Sequence, residues 1–231
     1  MLSLTPLELE ALQLSLKVAS ISIACALPLA LAAAWLLARR RFPGIALVDG
    51  LIHVPLVVPP VVIGYLLLVG FGRKGPIGAF LYDAFGITLI FTWKGAAVAA
   101  AVMAFPLMVR AMRLSLEAVD RGLEAAARTL GASPVKVFVT VTLPLMAPGI
   151  LTGLVLGFAR ALGEFGATIT FVSNIPGQTR TLPLALYTLT QTPGGEAGAA
   201  RLAVISVLLA LAALVFSEVI ARRVGRRLGH S

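Results

Sequence analysis

Apolar positions in this chain gather into long unbroken runs, and polar residues fall between the runs. Five runs stand out, at about 11–37, 54–70, 95–112, 148–172 and 202–221. Most approach the ~20 residues that an α-helix needs to cross a bilayer. In hydrocarbon every backbone N–H and C=O must be satisfied within its own segment, so each run predicts a helix. A sixth run, 79–92, has about 14 residues and contains Asp83. It is too short to span, and is expected to be re-entrant or interfacial. Residues 1–16 carry Glu8 and Glu10 without a cationic leader, so a short amphipathic approach at the interface is expected rather than a cleavable signal peptide.

The runs are not uniform. The first carries Lys17 near its start and stops at Arg39-Arg40-Arg41, after which Pro43-Gly44 turns the chain back. The second opens with Pro55, Pro59 and Pro60, which remove backbone donors and predict a bend or break at that end. A break survives in lipid only where protein or a water-lined cavity satisfies the freed groups. That makes Pro59 and Pro60 candidates for a pathway wall, with a kinked packing helix as the alternative. The third contains Pro106 and ends at Arg110 and Arg113.

In the fourth run Gly149, Gly153 and Gly157 recur every fourth residue. This spacing lets helices approach closely, within one subunit or between two. Deeper in stand Arg160 and Glu164, flanked by Gly163 and Gly166. Twelve residues beyond Pro148, at ~1.5 Å each, carry Arg160 roughly 18 Å into a layer of about 30 Å. An unpaired charge there is costly, so an i,i+4 ion pair is expected, either as a structural bridge or at the edge of a pathway.

Between the third and fourth runs lies a polar element, 120–144. Asp120 can cap a first short helix in which Leu123, Ala126, Ala127 and Leu130 share one face and Glu124 and Arg128 form an i,i+4 pair. Gly131 suits the left-handed position that ends a helix, and Ser133-Pro134 suits the start of the next.

Composition agrees with a membrane protein: 59% of the 231 residues are hydrophobic, 13% are charged, and the mean hydropathy is +0.98. The net charge of +9 does not point to nucleic acid, because the cations flank apolar runs instead of alternating with aromatics. Of the 19 Lys and Arg, twelve fall on the side of the polar element, six on the other side, and Arg160 lies within a run. That bias predicts five spans with the N-terminus outside and the C-terminus cytoplasmic. A single compact domain over 11–221 is expected. Cys25 lies inside an apolar run, so it is expected to be a small packing residue, with no disulfide framework. No phosphate-binding Gly-x-x-x-x-Gly-Lys run, zinc-ligand spacing or Gly-x-Ser-x-Gly elbow is present, so no catalytic residue and no metal site are predicted. Uphill transport would need a partner's energy. A carrier driven by an ion gradient is the alternative of a different class, and the lack of an internal repeat argues against it.

The run Glu124-Ala-Ala-Ala-Arg-Thr-Leu-Gly131-Ala-Ser, followed by Val141-Thr-Leu-Pro144, resembles the EAA loop of bacterial ABC importer permeases. The resemblance implies an all-α, type I importer transmembrane domain in which this loop docks on an ATPase subunit. Glu124, Ala125, Ala126, Arg128, Gly131, Ala132 and Pro144 would then be coupling residues. The family register puts its acidic residue at 125, where this chain has Ala125; Glu124 stands one place early. Leu162-Gly-Glu-Phe-Gly-Ala-Thr-Ile-Thr-Phe-Val-Ser-Asn-Ile-Pro-Gly177 and Thr190-Gln-Thr-Pro-Gly-Gly-Glu196 are similar to the molybdate permease family. That likeness implies a second copy of the chain, two ATPase subunits that bind ATP and Mg, and a periplasmic molybdate-binding protein; the polar, turn-rich outside loops at about 71–93 and 173–200 are expected to receive it. It implies no cofactor in this chain, whose remaining partner is membrane lipid. Tungstate, sulfate and thiosulfate remain open as substrates.

Overall fold

A computed structural model describes residues 4–227, and among them every regular element is helical. Helix α1, Pro6–Arg39, starts with a reciprocal cap: Glu8 N–H donates to Thr5 Oγ1, and Thr5 N–H donates to Glu8 Oε2 at 2.8 Å. The expected interfacial approach is therefore not a separate element. The cap and Pro6 start the helix early, and it continues unbroken into the first span.

The second run is two helices, α2 Ile45–Val57 and α3 Pro60–Phe71, turned 114° from each other. Val58 and Pro59 between them are extended (ψ 138° and 134°), because each precedes a proline and is excluded from the helical region. The short helix expected over 79–92 lies earlier, at α4 Pro76–Phe85. Pro76 starts it and Gly86, at φ 66°, ends it, leaving 87–92 without regular helix. Helix α5, Trp93–Glu117, exceeds the expected 95–112 at both ends.

Then come α6 Arg121–Thr129, α7 Pro134–Val137, a π-helical turn Phe138–Thr142 and α8 Leu143–Leu145. The chain bends by 65° into α9, Ala147–Leu162. The expected fourth span does not continue to 172. It breaks at 163–165 and resumes as α10, Gly166–Val172. Residues 173–200, expected as a loop, hold α11 Leu182–Thr190, and α12 runs Glu196–Arg227. Three helices are long and apolar enough to span alone; counting the two bent pairs raises this to five.

Helix α5 is the centre of the bundle, packed by α1 on one side and α9 on the other. Its buried face carries Ala96, Ala99, Ala100, Met103, Ala104, Met108, Val109 and Met112, against Ala19, Ala26, Ala30 and Ala34 of α1. Small side chains allow backbones to approach where lipid supplies no hydrophobic drive for association. The glycine stripe serves this packing within the subunit. A Cβ at Gly149 would overlap Ser115, and one at Gly157 would sit 2.8 Å from Met108 Cγ. At the end of the bundle far from α6, Leu182 N–H donates to Ser15 Oγ at 2.6 Å, and Arg201 Nη2 meets Glu8 Oε1 at 2.9 Å. Cys25 is exposed rather than packed inside, because it lies on the outer face of α1 beside an apolar groove lined by Leu29, Leu51 and Phe105. The side chains of Arg222, Arg223, Arg226 and Arg227 lie outside the described part.

Candidate functional site

Two constellations bring the sequence-predicted residues together, one at the α6 end and one at the helix breaks. At the α6 end, Asp120 Oδ1 accepts the Gly122 N–H at 2.7 Å, and Ser133 Oγ accepts the Lys136 N–H at 3.3 Å. Gly131 adopts φ +84°, while Gly131 and Ala132 N–H close the helix onto Arg128 and Ala127 carbonyls at 3.0 and 3.1 Å. A Cβ at Gly131 would meet nothing within 4 Å, so the position demands backbone freedom rather than space.

Glu124 does not pair with Arg128. Its Oε1 accepts Arg39 Nη2 at 2.7 Å and Thr142 Oγ1 at 2.7 Å. The Arg39 and Glu124 side chains are 13% and 14% exposed, and Thr142 is 3% exposed. A guanidinium held at the last turn of α1 offers a drier partner than the solvent-facing Arg128. One carboxylate thus ties α6 to the end of α1 and to the π-helical turn. Of the charged side chains on α6 only Glu124 is drawn inward, while Arg121 and Arg128 stay exposed, and the apolar edge is uncovered too, with Leu130 88% and Leu123 50% exposed. Ala125, Ala126 and Pro144 are exposed and Ala132 is half-buried. A surface helix normally turns its apolar stripe to the core, so this edge is left open to a partner.

At the second constellation Arg160 Nη1 lies 2.6 Å from Glu164 Oε2, as the spacing predicts. The Glu164 side chain is 2% exposed and Arg160 26%. Glu164 also acts as a cap, its Oε1 accepting the Ala167 N–H at 2.8 Å as α10 begins. Its Oε2 is sealed from solvent and takes no aligned hydrogen bond, so the Arg160 charge is what offsets it. The two breaks meet: a Cβ on Gly166 would sit 2.9 Å from Pro60 Cβ, and one on Gly64 2.6 Å from the Ala167 carbonyl. Pro60 and the 163–165 break therefore form one joint, with Pro59 next to it, and α3 and α10 pack along its length.

The family described as the inner membrane component of binding-protein-dependent transport systems matches residues 26–226. The chain belongs to that family. Among curated relatives, the permease is 63% identical to the molybdenum transport system permease protein ModB of Escherichia coli, over 98% of this chain and 99% of that one. It is 59% identical to the ModB of Haemophilus influenzae, over 96% and 97%. A solved structure of the MetNI methionine ABC transporter in inward facing conformations superposes with a TM-score of 0.73 at 19% identity, covering 94% of this chain and 96% of that one. That likeness is one of fold.

Sequence reading of the permease missed Arg39 and Thr142. Arg39 carries the same signal as Arg40 and Arg41, a charge after a span, and nothing local marks it as the partner of a residue 85 positions away. It also missed the joint between the breaks, although each break carried its own proline or glycine signal. In the 173–181 turn, Thr179 is wholly buried, its hydroxyl donating to the Ser173 carbonyl at 3.0 Å, and Arg180 Nε donates to Asn174 Oδ1 at 2.9 Å. These contacts hold Ser173 at φ 64°.

Proposed function

We propose that this permease is the membrane-spanning subunit of an ATP-driven molybdate importer, working as a pair of identical copies. Two separate subunits bind and hydrolyse ATP on the cytoplasmic side, where α6 docks, and this chain contributes no catalytic group. The N-terminus faces the periplasm, as the distribution of Lys and Arg supports. A substrate-loaded binding protein meets the opposite end, around 71–93 and 173–200. The observation that carries the coupling is the exposed apolar edge of α6, on a helix that Glu124 anchors to Arg39 and Thr142. The substrate rests on the 63% identity to the Escherichia coli molybdenum permease.

In this reading ATP-driven motion of the docking subunits displaces α6, and Glu124 passes the displacement to α1 and to the chain leading into α9. The α3–α10 joint is the gate, and Arg160 offsets the charge of a passing oxyanion. The test is reconstitution in liposomes with the ATPase subunit and the binding protein. Labelled molybdate should enter only when ATP, the ATPase and the binding protein are all present. Uptake driven by a proton or sodium gradient without ATP would overturn the proposal.

A further inference from the structure

Helix α6 has a second side besides the apolar edge that docks on the ATPase in the proposed function. Along that side Arg121, Glu124, Ala125 and Arg128 line an open cavity of about 1060 Å³ that runs up the side of α1. Its α1 wall is Pro28, Leu31, Ala32 and Trp35, an i, i+3, i+4, i+7 face with no polar atom except the indole N–H. From Arg39 to Pro28 that wall climbs roughly 16 Å at ~1.5 Å per residue. The mouth of the cavity is cationic. Arg39 is satisfied by Glu124, but no carboxylate among the described residues lies within ion-pair reach of Arg40, Arg121 or Arg128. Arg40 rests over the Trp35 ring at 5.2 Å, at the junction between the apolar shaft and the basic mouth.

We propose that this groove binds an anionic phospholipid of the leaflet on the α6 side, with its phosphate among Arg40, Arg121 and Arg128 and an acyl chain along Pro28–Trp35. Three features select this occupant. A basic mouth opening on an apolar shaft matches an anionic headgroup joined to hydrocarbon, and basic pockets beside spanning helices are suited to such headgroups. A free small anion would use the mouth and leave the shaft unfilled. The indole at the junction is where an amphipathic ring belongs at a membrane interface. The bound lipid would brace α6 against α1 beside the Glu124 anchor. The site rests on membrane placement and not on the identity of the transported ion, so its test does not depend on uptake.

The experiment is native mass spectrometry of the whole transporter released from nanodiscs made of phosphatidylglycerol and phosphatidylcholine in equal parts. The wild-type complex should retain phosphatidylglycerol in preference. Arg40→Gln, Arg121→Gln and Arg128→Gln should each reduce that preference about five-fold, while Arg40→Lys should keep it. Ala32→Trp, which fills the shaft and leaves the mouth intact, should also lose the lipid. Equal retention of the two lipids, or an unchanged preference in the triple Gln variant, would overturn the assignment. So would displacement of the lipid by millimolar inorganic phosphate, which would identify a small-anion site. Retention only by the permease freed of its ATPase would likewise overturn it, because the groove would then belong to a protein partner.

Discussion

Exchanging the charges of Arg160 and Glu164 separates a simple ion pair from the arrangement found here. In a simple pair, Arg160→Glu with Glu164→Arg would restore what either single change removes. In this structure Glu164 does two things: Oε2 faces the guanidinium at 2.6 Å, and Oε1 accepts the Ala167 N–H at 2.8 Å. Replacing Glu164 with Ala removes a charged acceptor from a buried N–H, which costs about 1.5–3 kcal/mol. It also strands Arg160, at a further ~1–2 kcal/mol, below the full cost of a buried unpaired ion because that side chain is 26% exposed. The sum is about 2.5–5 kcal/mol. Glu164→Gln keeps an oxygen for Ala167 and costs about 1–2 kcal/mol. The swapped double variant supplies no acceptor at 164 and places a guanidinium at a site that is 2% exposed. It should be at least as unstable as Glu164→Ala. At ~2–4 °C per kcal/mol for a chain of this size, Glu164→Ala should melt roughly 5–20 °C below wild type in detergent, and Glu164→Gln only a few degrees below. Thermal unfolding followed by size-exclusion chromatography reads this. A swapped variant as stable as wild type would refute the capping role of Glu164.

Other outcomes follow from the same geometry. Gly131→Val should place about 1–3 kcal/mol of strain at φ +84° and lower uptake and copurified ATPase while insertion persists; full uptake with an intact complex would contradict the coupling role. Arg39→Gln should weaken coupling, giving less molybdate carried per ATP hydrolysed, with hydrolysis retained; an unchanged ratio would remove Arg39 from the transmission. Gly149→Leu should overfill the contact with Ser115 by at least ~1–3 kcal/mol and reduce the folded yield, as size-exclusion profiles would show. Cysteines placed at Ser173 or Gln178, both exposed, should crosslink to the binding protein and not to the ATPase.

Much of this architecture was legible because lipid demands apolar length, and the runs at 11–37, 95–112 and 202–221 met that demand without interruption. The breaks were harder. Proline signals marked 59–60, but the 163–165 break arises from a glycine corner together with a glutamate whose second oxygen caps the next helix, and an i,i+4 spacing reveals only the first oxygen. At α6, capping residues and the corner glycine were readable because they act on their own neighbours. The Glu124 anchor was not, since the local Arg128 offered an equally good partner by spacing. Only the packing of α1 against α5 brings Arg39 within reach.

The account depends most on which face of α6 is covered in the working transporter. In a Cys25→Ala background, which removes the only native cysteine, Leu130→Cys can be tested for crosslinking within the complete complex. The prediction is a crosslink to the ATPase subunit, its yield changing on ATP binding, with Gln178→Cys giving none. A crosslink from position 178 to the ATPase, with position 130 joined to the binding protein, would contradict the account.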